Sequence, residues 1–107
     1  MYASIRRYRV SPESMDELLH EVDTGFAENI QEMDGFVGYE CVDCGNGTLL
    51  TISTFRDQQG AEASAEAAAA WVQETLSDRF DIERLDVFMG EVGVSRAREA
   101  MLEPAHH

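Results

Sequence analysis

The chain has 107 residues, room for one domain, and its 21 acidic against 8 basic residues give a formal net charge of −13. Such a field repels phosphates and anionic headgroups, which argues against nucleic-acid and membrane-surface binding. The longest apolar run, residues 67–72, is too short to span a bilayer.

A hydrophobic share of 44% suits an ordinary core that needs neither disulfide nor metal. Charge at Arg6 and Arg7 interrupts what would be the apolar stretch of a secretion signal, so a cytoplasmic location is expected. The acid excess has two readings, solvated helix faces or adaptation to high salt.

Residues 2–10 are rich in strand formers and arginine and predict a first strand. Ser11-Pro12 reads as a helix start, with Ser11 as N-cap and Pro12 in the first turn. Met15, Leu18, Leu19, Val22, Phe26, Ile30 and Met33 then recur at spacings of three and four, the apolar stripe of one long helix. Asp34-Gly35 ends it. Strands are expected at 36–43 and 48–55, joined through Gly45-Asn46-Gly47, a strong hairpin signal. Val37, Tyr39 and Cys41 are expected to share a sheet face with Leu50 and Ile52 beside them. Asp57 caps a second, alanine-rich helix to about Leu76, its stripe formed by Ala61, Ala65, Ala68, Val72 and Leu76 with Trp71 at the margin. A fourth strand is expected from Arg84 to Val94, and residues 96–107 read as a charged C-terminal tail ending in His106-His107, native or a tag remnant.

The order βαββαβ implies an α+β, ferredoxin-like domain over residues 1–95: a four-stranded antiparallel sheet with two helices on one face. Leu49 and Phe55 share one face of the third strand, Leu50 and Ile52 the other. A sheet that is apolar on both sides needs a cover on its helix-free face, and a homodimer is the simplest one.

The opening Tyr2-Ala3-Ser4-Ile5-Arg6-Arg7-Tyr8, the Asp34-Gly35-Phe36 step and Ser53-Thr54-Phe55-Arg56-Asp57 before an alanine-rich helix resemble the antibiotic-biosynthesis-monooxygenase-like domains of the dimeric α+β barrel superfamily, over residues 2–95. The resemblance implies a cofactor-independent oxygenase of aromatic or quinol-type substrates. A non-catalytic dimeric ligand-binding or stress-related protein of the same fold is the alternative. The haem-degrading branch carries an asparagine on strand one, a tryptophan ending strand three and an iron-binding histidine on helix two. Here strand one has no asparagine, Phe55 takes the tryptophan's place and helix two has no histidine.

The resemblance places a substrate pocket between helices and sheet, walled by Trp71, Tyr39 and Phe26, with His20 as its acid–base group and no cofactor. Each has a plainer reading: His20 as a surface histidine flanking the helix stripe, the aromatics as core. Cys41-Val42-Asp43-Cys44 spaces two thiols as a redox pair does, but in an extended strand residues three apart point to opposite faces, and no second pair completes a zinc site. Arg6, Arg7 and Arg9 either pair with acids on neighbouring strands or offer a bidentate anion site.

Overall fold

The structure, a computed structural model, describes residues 1–96; the tail beyond, with His106 and His107, lies outside the described residues. Strand β1 spans Tyr2–Val10, β2 Phe36–Asp43, β3 Thr48–Phe55 and β4 Ile82–Glu91. They form one antiparallel sheet in the order β2-β3-β1-β4. Strand β4 begins two residues before the expected Arg84, because Ile82 pairs with Val10, and it ends at Glu91 rather than Val94.

Helix α1 (12–30) opens with a single 3₁₀ turn, Pro12–Ser14, continues as Met15–Glu21, widens into a π-turn at Val22–Phe26 and closes with Ala27–Ile30. Ser11 stands where expected, but its side chain makes no capping bond; its carbonyl accepts from the Ser14 N–H at 3.0 Å. Helix α2 (58–76) runs from Gln58 to Trp71 and ends in a second π-turn, Val72–Leu76. Its N-cap is Asp57, whose carboxylate accepts from the Gly60 N–H at 2.8 Å. No helix of the described residues is long and apolar enough to cross a membrane.

The 45–47 hairpin needs its glycines: Gly45, Asn46 and Gly47 all have positive φ. At Gly47 any Cβ would lie 2.3 Å from the Val10 carbonyl oxygen.

Both helices cover one face of the sheet. On β1 that face carries Ser4, Arg6, Tyr8 and Val10; on β3 it carries Leu49, Thr51, Ser53 and Phe55, all buried. Tyr39 and Cys41 of β2 lie opposite Ser53 and Thr51 and share this face. Leu50 and Ile52, expected beside them, sit on the other face with Val42 and Glu40. The register shift between Phe36 and Gly38 leaves Val37 as an exposed extra residue.

The core is in two parts. Tyr8, Val10, Met15, Leu18, Val22, Leu49, Leu76 and Phe80 form one cluster; Phe26, Ile30, Phe55, Ala61 and Ala68 form the other. Tyr39 and Trp71, both partly covered, pack against each cluster and bridge them. The helix-free face is uncovered: Ile5 lies between Ile52 and Phe88 across the sheet, and Phe88 is 60% exposed.

Candidate functional site

At the junction of the two clusters, three aromatic rings from three elements meet. Phe26 comes from the π-turn of α1, Tyr39 from β2 and Trp71 from the last α-helical position of α2. The Phe26 and Tyr39 ring centres are 5.5 Å apart and edge-to-face; Phe26 and Trp71 are 5.7 Å apart and tilted. Such pairs contribute about 0.5–1.5 kcal/mol each beyond burial. The close seating of Trp71 depends on Gly25, where a Cβ would stand 2.9 Å from the indole. The two π-turns also face this junction, for Val22, Phe26, Val72 and Leu76 all line the cavity that the rings enclose. Extra residues in helical turns of this kind recur at functional sites.

The cavity holds about 20 Å³, enough for a water-sized molecule. Its lining is mostly apolar, with polar groups from Arg6, Tyr8, Tyr39, Thr51 and the Trp71 indole. Arg6, one of the three arginines of β1 expected either to pair with acids or to offer an anion site, is completely buried. Its Nη1 donates to the Ser4 hydroxyl at 2.8 Å and the Ser53 hydroxyl at 3.3 Å. Ser53 and Ser64 hydroxyls are 3.1 Å apart, and Ser64 donates to the Ala61 carbonyl at 2.7 Å. Since the Ser64 proton is committed there, Ser53 is the donor between them. The relay therefore runs from guanidinium to the backbone of α2 and fixes one end of Arg6.

The other end is unpaired. Arg6 Nε and Nη2, and the Thr51 hydroxyl opposite on β3, have no hydrogen-bond partner among the described residues. No carboxylate of the described residues forms an ion pair with Arg6, whereas Arg7 pairs with Asp86 and Arg9 with Glu83. Burying a guanidinium without a counter-charge costs several kcal/mol, which two hydroxyl contacts on one nitrogen offset only in part.

Burial holds the Tyr39 phenol far above its usual range and pushes the Cys41 thiol up to about 11, while the nearby positive charge of Arg6 pulls both the other way. Both groups therefore keep their protons at neutral pH.

The structure brings Phe26, Tyr39 and Trp71 together as expected, but it does not bring His20 to them. His20 is exposed and lines no part of the cavity; two residues past the buried Leu18, it points away from the stripe. Its backbone carbonyl accepts from the Thr24 hydroxyl. Cys41 faces the helices and Cys44 is exposed in the turn after β2. Among the described residues no group of three or more His, Cys, Asp or Glu side chains is placed to hold a metal ion.

No family model matches the sequence, and no curated protein does either. Solved structures do match. HapK from Hahella chejuensis aligns over 92% of this chain and 99% of its own at 17% identity, with a TM-score of 0.66. A Nitrosomonas europaea protein assigned as an antibiotic biosynthesis monooxygenase aligns over 88% of this chain and 100% of its own at 16% identity, TM-score 0.67. The ActVA-Orf6 monooxygenase of Streptomyces coelicolor, solved with nanaomycin D, aligns over 90% of this chain and 92% of its own at 15% identity, TM-score 0.62. The chain thus has the ferredoxin-like fold of the antibiotic-biosynthesis-monooxygenase-like proteins.

Proposed function

We propose that this chain is a small monooxygenase-like protein that acts without a cofactor on a flat aromatic or quinol-type substrate held between helices and sheet. The observation that carries the reading is the convergence of Phe26, Tyr39 and Trp71 on one mostly apolar cavity. It is supported by the fold's likeness to a monooxygenase solved with nanaomycin D.

In such a reaction the substrate loses an acidic proton to solvent and the resulting carbanion passes an electron to dioxygen. The two radicals join as a peroxide, which takes up a proton and loses water to leave a carbonyl. The protein supplies shape, dryness and hydrogen bonds. Tyr39 and Cys41 are protonated and His20 is remote, so the cavity lining offers no base; the substrate's own acidity has to release the proton. A cavity of about 20 Å³ is far below the few hundred Å³ of a small-molecule site, so a ring enters only as a wall gives way. Trp71 is a partly exposed ring of that wall.

A second copy of the chain covers the helix-free face in this reading, over Ile5, Ile52 and Phe88. A matching protein from an uncultured marine organism is described as dimeric and ferredoxin-like. Light scattering is expected to give twice the 11.9 kDa chain mass, and a clean monomer contradicts the dimer.

The functional test is oxygen uptake with anthrone or hydroquinone substrates, without added metal, flavin or nicotinamide, alongside quenching of the fluorescence of Trp71, the sole tryptophan. Uptake that falls in Phe26→Ala supports the enzyme. Quenching without uptake favours a ligand-binding protein. Neither response, across a panel, overturns the aromatic site.

A further inference from the structure

We infer that the free edge of Arg6 holds the ligand's charge: the occupant of the aromatic cavity is an anion in which two neighbouring oxygens share one negative charge, a carboxylate or a hydroxyketone enolate on a flat ring. The inference rests on the aromatic-site reading and adds the chemical class that the site selects.

Three features of the buried guanidinium point this way. The first is which atoms are free. Nη1 is anchored by Ser4 and Ser53, while Nε and Nη2 are both without partners. These two nitrogens form the side edge of the guanidinium, whose parallel N–H bonds match a pair of oxygens bidentately. A lone hydroxyl or a single carbonyl would use half of it.

The second is the neighbourhood. Thr51 lies directly across the sheet from Arg6, also lines the cavity and has a buried hydroxyl with no partner. It adds a further buried donor to the cavity lining. Tyr39, whose phenol stays protonated, is also in the lining. The Tyr8 phenol and the Trp71 indole N–H complete the polar lining, so every polar side chain that borders the cavity can donate to an anion.

The third is charge. The chain carries 21 acids, yet none of the described ones forms an ion pair with its completely buried arginine. The neighbours Arg7 and Arg9 find acids at once. A buried arginine that only supported the fold would be expected to have a carboxylate beside it. One water could satisfy a donor or two but brings no negative charge.

The test is calorimetric titration of the intact protein with benzoate, with its neutral isostere benzamide, and with tropolone in mildly alkaline buffer, where it is the hydroxyketone anion. Moderate salt screens the repulsion that the acidic surface exerts on anions. Wild type is expected to bind at least one of the two anions about tenfold or more tighter than benzamide, a difference that charge-assisted paired hydrogen bonds supply. The anion that binds tighter identifies the source, carboxylate or enolate. Arg6→Met is expected to lose the preference, and Arg6→Lys, which keeps the charge without the fork, to retain only part of it. The wild-type comparison needs no variant, so a folding defect in either substitution leaves the inference open to refutation. Equal binding of both anions and benzamide overturns the inference while leaving the aromatic site; an anion preference that survives Arg6→Met also overturns it. Silence from all three ligands overturns the inference and the aromatic reading together.

Discussion

Strand β1 carries three arginines within four residues, and the sheet treats them in two ways. Arg7 and Arg9 lie on the helix-free side, about half to two-thirds exposed, each against an acid of β4. Arg6 points the other way and is sealed under both helices with one edge unpaired. The outer pairs are exposed ion pairs of the sort worth little, about 0–1 kcal/mol. The inner charge is costly to bury and pairs with no acid of the described residues. One strand thus carries arginines paired on the surface and an arginine buried without a counter-charge, and alternation alone decides which is which.

The comparison can be broken by giving Arg6 what its neighbours already have. Thr51→Asp places a carboxylate directly across from the guanidinium. It is expected to weaken binding of aromatic anions by about a hundredfold or more, since an internal pair takes the place of the ligand. Titration calorimetry checks it, and unchanged binding would separate Arg6 from the ligand.

A smaller effect follows from the inner face's resistance to ionisation. Cys41 has a thiol pushed by burial from an ordinary 9.0 to about 11. Between those values the unfolded chain has released the proton while the folded chain still holds it. Raising pH through that window therefore favours unfolding. Urea midpoints should fall from pH 9.0 toward about 11, and Cys41→Ser should flatten part of the fall. A midpoint that rises there contradicts the burial account. The smallest effect belongs to the outer face: Arg7→Ala and Arg9→Ala should each change stability by less than about 1 kcal/mol, and less again in high salt.

Much of the architecture was legible in the residues. The Asn-Gly hairpin, the stripe from Met15 to Ile30 and the Asp57 cap all formed where local chemistry placed them, because each depends on near neighbours. The aromatic trio was legible too, through the resemblance and through the facing of its elements. What failed depended on long-range geometry. Asp43 pairs with Leu49 across the hairpin, and that register sets Ser53 and Thr51, rather than Ile52 and Leu50, beside Tyr39 and Cys41; the shift beside Val37 moves only Phe36, and Gly38 is its one local mark. The sequence grouped Arg6 with Arg7 and Arg9 and did not separate its burial from their exposure, because Ser4 and Arg6 are polar and the inward face of β1 does not look apolar at its start. Counting back by twos from Tyr8 and Val10 would have found it. His20 was misplaced against a signal already present: Leu18 and Val22 define the inward side, and two residues on from Leu18 is nearly opposite.

The central claim is that Arg6 serves a ligand at the expense of the fold, and thermal unfolding of wild type and Arg6→Met, each with and without benzoate, tests it most directly. The account predicts that without ligand the variant is the more stable protein, by about 1–4 kcal/mol, as when a buried charge is replaced by a packed apolar side chain. It predicts further that benzoate raises the melting temperature of wild type and leaves that of the variant in place. A variant that melts lower than wild type, with benzoate shifting both alike, would contradict it.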